Sequence, residues 1–155
     1  MKGLFKLRSA DDLMAKLKYE HQKLAEEPEN SYHAFNFFVT AWHMCEWYSQ
    51  DSGVRAKLRN DNPILRICEH LAIGAKHFEP KSDQHTSVIE AKTTTVWGDG
   101  VWAEGAWGEG VWEEWLVVKL DGEARERYGS SIRADELSDH AIEFWQTQLN
   151  SEGSD

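Results

Sequence analysis

The chain of 155 residues is poor in cysteine, proline and cations, and each shortage excludes something. Its two cysteines, Cys45 and Cys68, fall among apolar neighbours in segments that read as helices. They therefore read as small core residues of a reducing compartment, not as a disulfide framework. No CxxC is present, so a thiolate zinc site has no basis. Lys and Arg number 17 against 27 Asp and Glu, a formal net charge of −10. A general nucleic-acid coat and an anionic membrane surface both require a cationic footprint, and this balance excludes them. No long apolar run exists either. Ala34 to Tyr48 comes nearest, but Asn36, Thr40, His43 and Glu46 interrupt it and it is too short to span a bilayer. Met1 to Leu7 is followed by neither an apolar stretch nor a small-residue cleavage site, so no signal peptide is read. The expectation is one cytoplasmic domain over residues 1–155, with no cofactor implied.

What is present is organised in three parts. Ser9 and Asp12 make a capping-box start for a first helix that carries Leu13, Met14, Leu17 and Leu24 to about Glu27. Ser31 is expected to cap a second helix, Tyr32 to about Ser49, apolar on nearly all sides and therefore central. After the Asp51-Ser52-Gly53 break comes a short amphipathic piece, Val54 to Arg59. Asn62-Pro63 then opens a third long helix, Ile64 to about Phe78. This helical part covers residues 9–80. A β section over residues 86–129 begins with a Thr/Val/Ile strand, Thr86 to Trp97, and contains a second, Trp115 to Leu120. Asp121-Gly122 predicts a hairpin turn after which Glu123 to Tyr128 pairs back. Ser130 or Ser131 starts a last helix, residues 131–149, with Leu137, Ala141, Phe144, Trp145 and Leu149 on one face. The predicted fold is α+β: a helical bundle with a small antiparallel sheet and a Trp/Gly arm.

That arm is an internal repeat of period five, Val96-Trp-Gly-Asp-Gly100, Val-Trp-Ala-Glu-Gly105, Ala-Trp-Gly-Glu-Gly110, Val-Trp112. It supplies Trp97, Trp102, Trp107 and Trp112, half of the eight tryptophans. Five acids and no Lys or Arg lie between Trp97 and Trp115. Stacking on nucleic-acid bases is disfavoured there, because the phosphates would meet like charge. Two uses remain. The tryptophans complete the core, or they dock on a second copy or another protein, as tryptophan anchors do.

Chemistry, if any, belongs to two polar stripes. On the second helix His33, Asn36, Thr40 and His43 align at helical spacing, and on the third Arg66, His70 and His77 do so. Facing one another, they would enclose a polar pocket. Histidine exchanging protons with a ribose hydroxyl and arginine holding a phosphate would make a ribonuclease-like site. That reading assigns catalysis to Arg66, His70 and His77, with Asn36 and His43 in support, and it alone brings RNA as a partner. A second option is a metal held by His43, Glu46, His70 and His77. The third is a structural network of satisfied interhelical polar groups.

Two segments carry a resemblance. Tyr32-His-Ala-Phe-Asn-Phe-Phe-Val-Thr-Ala-Trp-His-Met-Cys-Glu-Trp47 and Cys68-Glu-His-Leu-Ala-Ile-Gly-Ala-Lys-His-Phe78 resemble a group of small uncharacterised bacterial proteins. Those share AFNFFVTAWHxxEW-like and CxxLAxxxKHF-like helices and end in a β-hairpin and a tryptophan-bearing helix. More distantly, the third helix is similar to HEPN-type helical domains, many of them RNases of toxin–antitoxin and phage-defence systems. Their motif is an arginine and a histidine with four to six residues between them on one helix. Here three residues separate Arg66 from His70, and six separate Arg133 from His140 on the last helix. The reading taken forward is a non-enzymatic interaction or oligomerising domain, with a HEPN-like RNase or nucleotide-processing enzyme as the alternative.

Overall fold

A computed structural model describes residues 3–76, 87–97 and 112–152. His77, Trp102 and Trp107 lie outside the described residues, as does the Phe78 end expected for the third helix.

Helix α1, Ala10–Glu26, starts where the Ser9 hydroxyl accepts the Asp12 N–H and the Asp12 carboxylate accepts the Ser9 N–H in return. Its buried stripe is Leu13, Met14, Leu17 and Leu24. Helix α2, Ser31–Tyr48, is capped one residue earlier than expected: the Asn30 side chain accepts the Tyr32 N–H, and Ser31 is already helical. It packs against α1 on one side and against α4, Pro63–Lys76, on the other. The short amphipathic piece is a full helix, α3, Ser52–Asp61, capped by Asp51 on the amides of Gly53 and Val54.

The closing helix α6, Ala134–Glu152, buries Leu137, Ala141, Ile142 and Trp145. Trp145 is fully buried, packs edge-on against Phe144, and donates its indole N–H to the Ala41 carbonyl at 3.1 Å. A buried indole needs such a partner, and this one ties α6 to the middle of α2. The core thus joins Leu17, Leu24, Phe37, Met44, Leu65, Ile67, Leu137 and Trp145 into one cluster, which Val118 and Leu120 of the sheet also enter.

The sheet is antiparallel with order β1-β2-β3, where β1 is Val88–Trp97, β2 Trp112–Leu120 and β3 Ser131–Arg133. Strand β1 pairs with β2 from Val88↔Leu120 through to Trp97↔Trp112, with one irregularity between Val88 and Glu90. The fold is α+β, a helical bundle with a small three-stranded antiparallel sheet.

Two expectations are corrected. Asp121-Gly122 is not a hairpin turn: Asp121 caps α5, Gly122–Tyr128, accepting the Gly122 N–H at 2.8 Å, and Glu123 to Tyr128 is helical. The Glu-Ala-Arg-Glu-Arg run favours helix, and the second edge of β2 is taken by residues 131–133 instead. The last helix begins not at Ser130 or Ser131 but at Ala134, because residues 131–133 pair with β2 first. Among the described residues no helix is long and apolar enough to cross a membrane.

Candidate functional site

The two polar stripes meet different neighbours. On α2, His33 lies 3.5 Å from Glu27, Asn36 is exposed, and Thr40 is buried under Lys16 of α1. That lysine bonds both the Thr40 hydroxyl and the Glu20 carboxylate at 2.9 Å, so the middle of this stripe is a structural polar cluster between α1 and α2. His43 is about half exposed, with Glu46 at 3.7 Å. On α4, Arg66 donates to the backbone carbonyls of Arg59 and Asn60 and pairs with Glu123 of α5. One turn later the His70 ring accepts the Val88 N–H of β1 at 3.2 Å. Glu69, between them, pairs with Arg59 of α3.

Among the described residues, Arg66 and His70 thus meet different partners, and Asn36 and His43 are not brought to either. Asn36 is exposed, His43 is about half exposed beside Glu46, and Arg66 is committed to α3 and α5. The other arginine–histidine pair is also divided. Arg133 stacks its guanidinium 3.3 Å over the Trp115 ring and pairs with Asp135, whereas His140 lies against Tyr128, with ring centroids 4.9 Å apart. This geometry lends no support to a phosphate site. Nor are His43, Glu46 and His70 brought together, and among the described residues no group of three His, Cys, Asp or Glu side chains is placed to hold a metal ion. Cys45 and Cys68 are buried and free. Burial pushes the Cys45 thiol up to about 12 and raises Cys68 as well, so neither supplies a thiolate nucleophile at neutral pH.

Among the described residues, two concavities stand out. One, of about 820 Å³, lies between α4, α5, β3 and α6, with Tyr128, His140, Glu136 and Glu143 along it. The other, of about 490 Å³, runs between the sheet and the helices. Ala34, Phe35 and Phe38 of α2 form one wall, His70, Leu71 and Ala75 of α4 another, and residues 88–93 of β1 the third. Of the four candidate catalytic residues that are described, Asn36, His43, Arg66 and His70, only His70 lines it. Its walls are chiefly apolar, as in sites that take apolar side chains.

The Trp/Gly repeat begins at the far end of the same hairpin. Trp97 and Trp112 are directly opposite one another in the ladder, so residues 98–111 connect the two strands at one point. The strand residues approaching that point, Thr95, Glu113 and Glu114, are exposed.

Sequence reasoning missed the groove. Its one available signal was that α2 is apolar beyond what a single buried face needs. The surplus is at its first turns, where Tyr32 is 81% and Phe35 50% exposed. Comparison with protein-family models, curated proteins and solved structures gives no match.

Proposed function

We propose that this chain is a non-enzymatic interaction domain of the reducing cytoplasm, in which the bundle and sheet carry the Trp/Gly repeat as a docking element for a second copy or another protein. One observation carries the reading. The β1–β2 ladder runs from Glu90↔Lys119 without interruption to Trp97↔Trp112, and Thr95, Glu113 and Glu114 near that end are exposed, so the repeat is attached at the end of a paired ribbon. Large, stiff indole rings lose little side-chain entropy on docking and dominate interfaces out of proportion to their number. Asp99, Glu104 and Glu109 within the repeat, with no cation, favour a protein partner over a nucleic acid. The two buried, free cysteines suit a reducing compartment.

Light scattering of the wild type and of a W102A/W107A variant tests this. The wild type is expected at a multiple of the 17.8 kDa chain mass, and the variant at one chain mass with unchanged circular dichroism. A wild-type mass that the two substitutions leave unaltered would contradict the self-docking form of the reading.

A further inference from the structure

The helix-facing side of the hairpin is only half covered. Residues directly opposite on antiparallel neighbours project to the same face, so Ala91 shares a face with Val118 and Thr93 with Leu116. Val118 is buried and Leu116 packs on the core, whereas Ala91 and Thr93 are exposed. Strand β1 overhangs the helices as an edge, and the 490 Å³ groove lies under it. Exposed apolar side chains concentrate at its rim: Phe35, and Ile89 at 64% exposure, with Tyr32 one turn before Phe35. Isolated exposed apolar residues are ordinary, but a group around one concavity marks an interaction site.

We infer that this groove receives the Trp/Gly repeat of a second copy of the chain, so that two copies exchange repeats about a two-fold axis. The inference rests on the reading of the repeat as a docking element and names its receptor. Size supports it. Each tryptophan buries about 150–250 Å², so Trp102 and Trp107 in two reciprocal contacts bury about 600–1,000 Å². With as much again from the grooves, this reaches the roughly 1,200–2,000 Å² of a stable interface. Chain geometry favours exchange over filling the chain's own groove. Four ladder pairs, Thr94↔Trp115 to Trp97↔Trp112, separate the base of the repeat from Thr93, where the groove ends. At about 3.3 Å per residue they hold that base roughly 13 Å away along the ribbon, so Trp102 and Trp107, each five residues from a strand end, return to the edge of their own groove only on a nearly fully extended chain of about 17 Å.

The test separates this inference from the reading beneath it. Two groove variants, Phe35→Glu and Ile89→Glu, and the repeat variant W102A/W107A are weighed by light scattering alone and in equimolar mixture. Ile89 is so exposed that its replacement leaves the fold intact, which keeps the experiment informative if Phe35→Glu proves unstable. Each variant alone is expected at one chain mass, and a groove variant mixed with the repeat variant is expected to recover a two-chain species, since one intact repeat meets one intact groove. If W102A/W107A keeps the wild-type mass, the self-docking form of the reading fails and this inference with it. If W102A/W107A dissociates while both groove variants stay associated, the repeat docks elsewhere and only this inference is overturned. Groove variants with wild-type mass and a lowered unfolding temperature would also overturn it, because the groove would then be filled from within its own chain, by residues 77–86 or by the repeat.

Discussion

Trp145→Ala should cost this protein a large part of its stability. The side chain is fully buried between Tyr48 and Phe144, and its indole N–H reaches across to the Ala41 carbonyl. Truncating a buried tryptophan to alanine costs about 3–5 kcal/mol in lost transfer energy and residual cavity. The hydrogen bond contributes about 1 kcal/mol of that. Trp145→Phe keeps an aromatic ring at the site but has no donor, so its cost should fall near 2 kcal/mol. For a chain of this size each kcal/mol lowers the unfolding temperature by roughly 2–4 °C, so the alanine variant should melt roughly 6–20 °C below wild type. Urea unfolding followed by far-ultraviolet circular dichroism gives both differences directly, since helices dominate that signal. The reasoning is refuted if Trp145→Ala loses less than about 1 kcal/mol, because a residue at the junction of α2 and α6 cannot be removed so cheaply.

Other consequences are smaller but as definite. A double-mutant cycle on Trp115 and Arg133 should return a coupling of about 0.5–2 kcal/mol, the value of a cation over an indole face; additive single-variant losses would contradict the stacking. Asp12 should contribute to acid stability: the Arg8 N–H first, then the Ser9 hydroxyl and N–H, hold its carboxyl below the usual range in the folded chain. Its contribution is then fully present above the ordinary value near 3.9 and lost as pH falls through the lower folded value. Asp12→Asn should therefore flatten the acid limb of the stability curve, and an unchanged limb would count against the capping box. Cys45 and Cys68 should react with a thiol reagent at neutral pH only as fast as the chain opens, because burial raises both thiols; rapid labelling of the native protein would contradict their placement.

Much of the fold follows from local signals. Ser9 with Asp12, Pro63 at a first helical position, and the spacing of Leu13, Leu17 and Leu24 each act within a turn or two, so α1, α4 and most of α2 and α6 are legible. Asp121-Gly122 shows where such signals divide. The same dipeptide serves a tight turn or a helix cap, and the choice went to the cap because the Glu-Ala-Arg-Glu-Arg run that follows favours helix, the free edge of β2 being taken later by residues 131–133. The polar stripes failed for a different reason. Helical periodicity tells which residues share a face, but not which neighbour each turn of that face meets. Arg66 and His70 are four residues apart and aligned, yet one reaches α5 and the other β1. The groove is less legible still. It depends on how far β1 extends past the helices, and that is set by a register between residues 88–97 and 112–120 that no local pattern specifies.

The exchange of repeats between copies is tested most directly by a label on one copy and a readout on the other. A nitroxide attached through E104C marks the repeat alone, since the two native cysteines are buried. Mixed with an isotope-labelled wild-type chain, it should broaden the amide resonances of Ala34, Leu71 and Ala91 along the groove of that other chain. Groove resonances that stay sharp in the mixture, or that broaden only when label and isotope are on the same chain, would contradict the account.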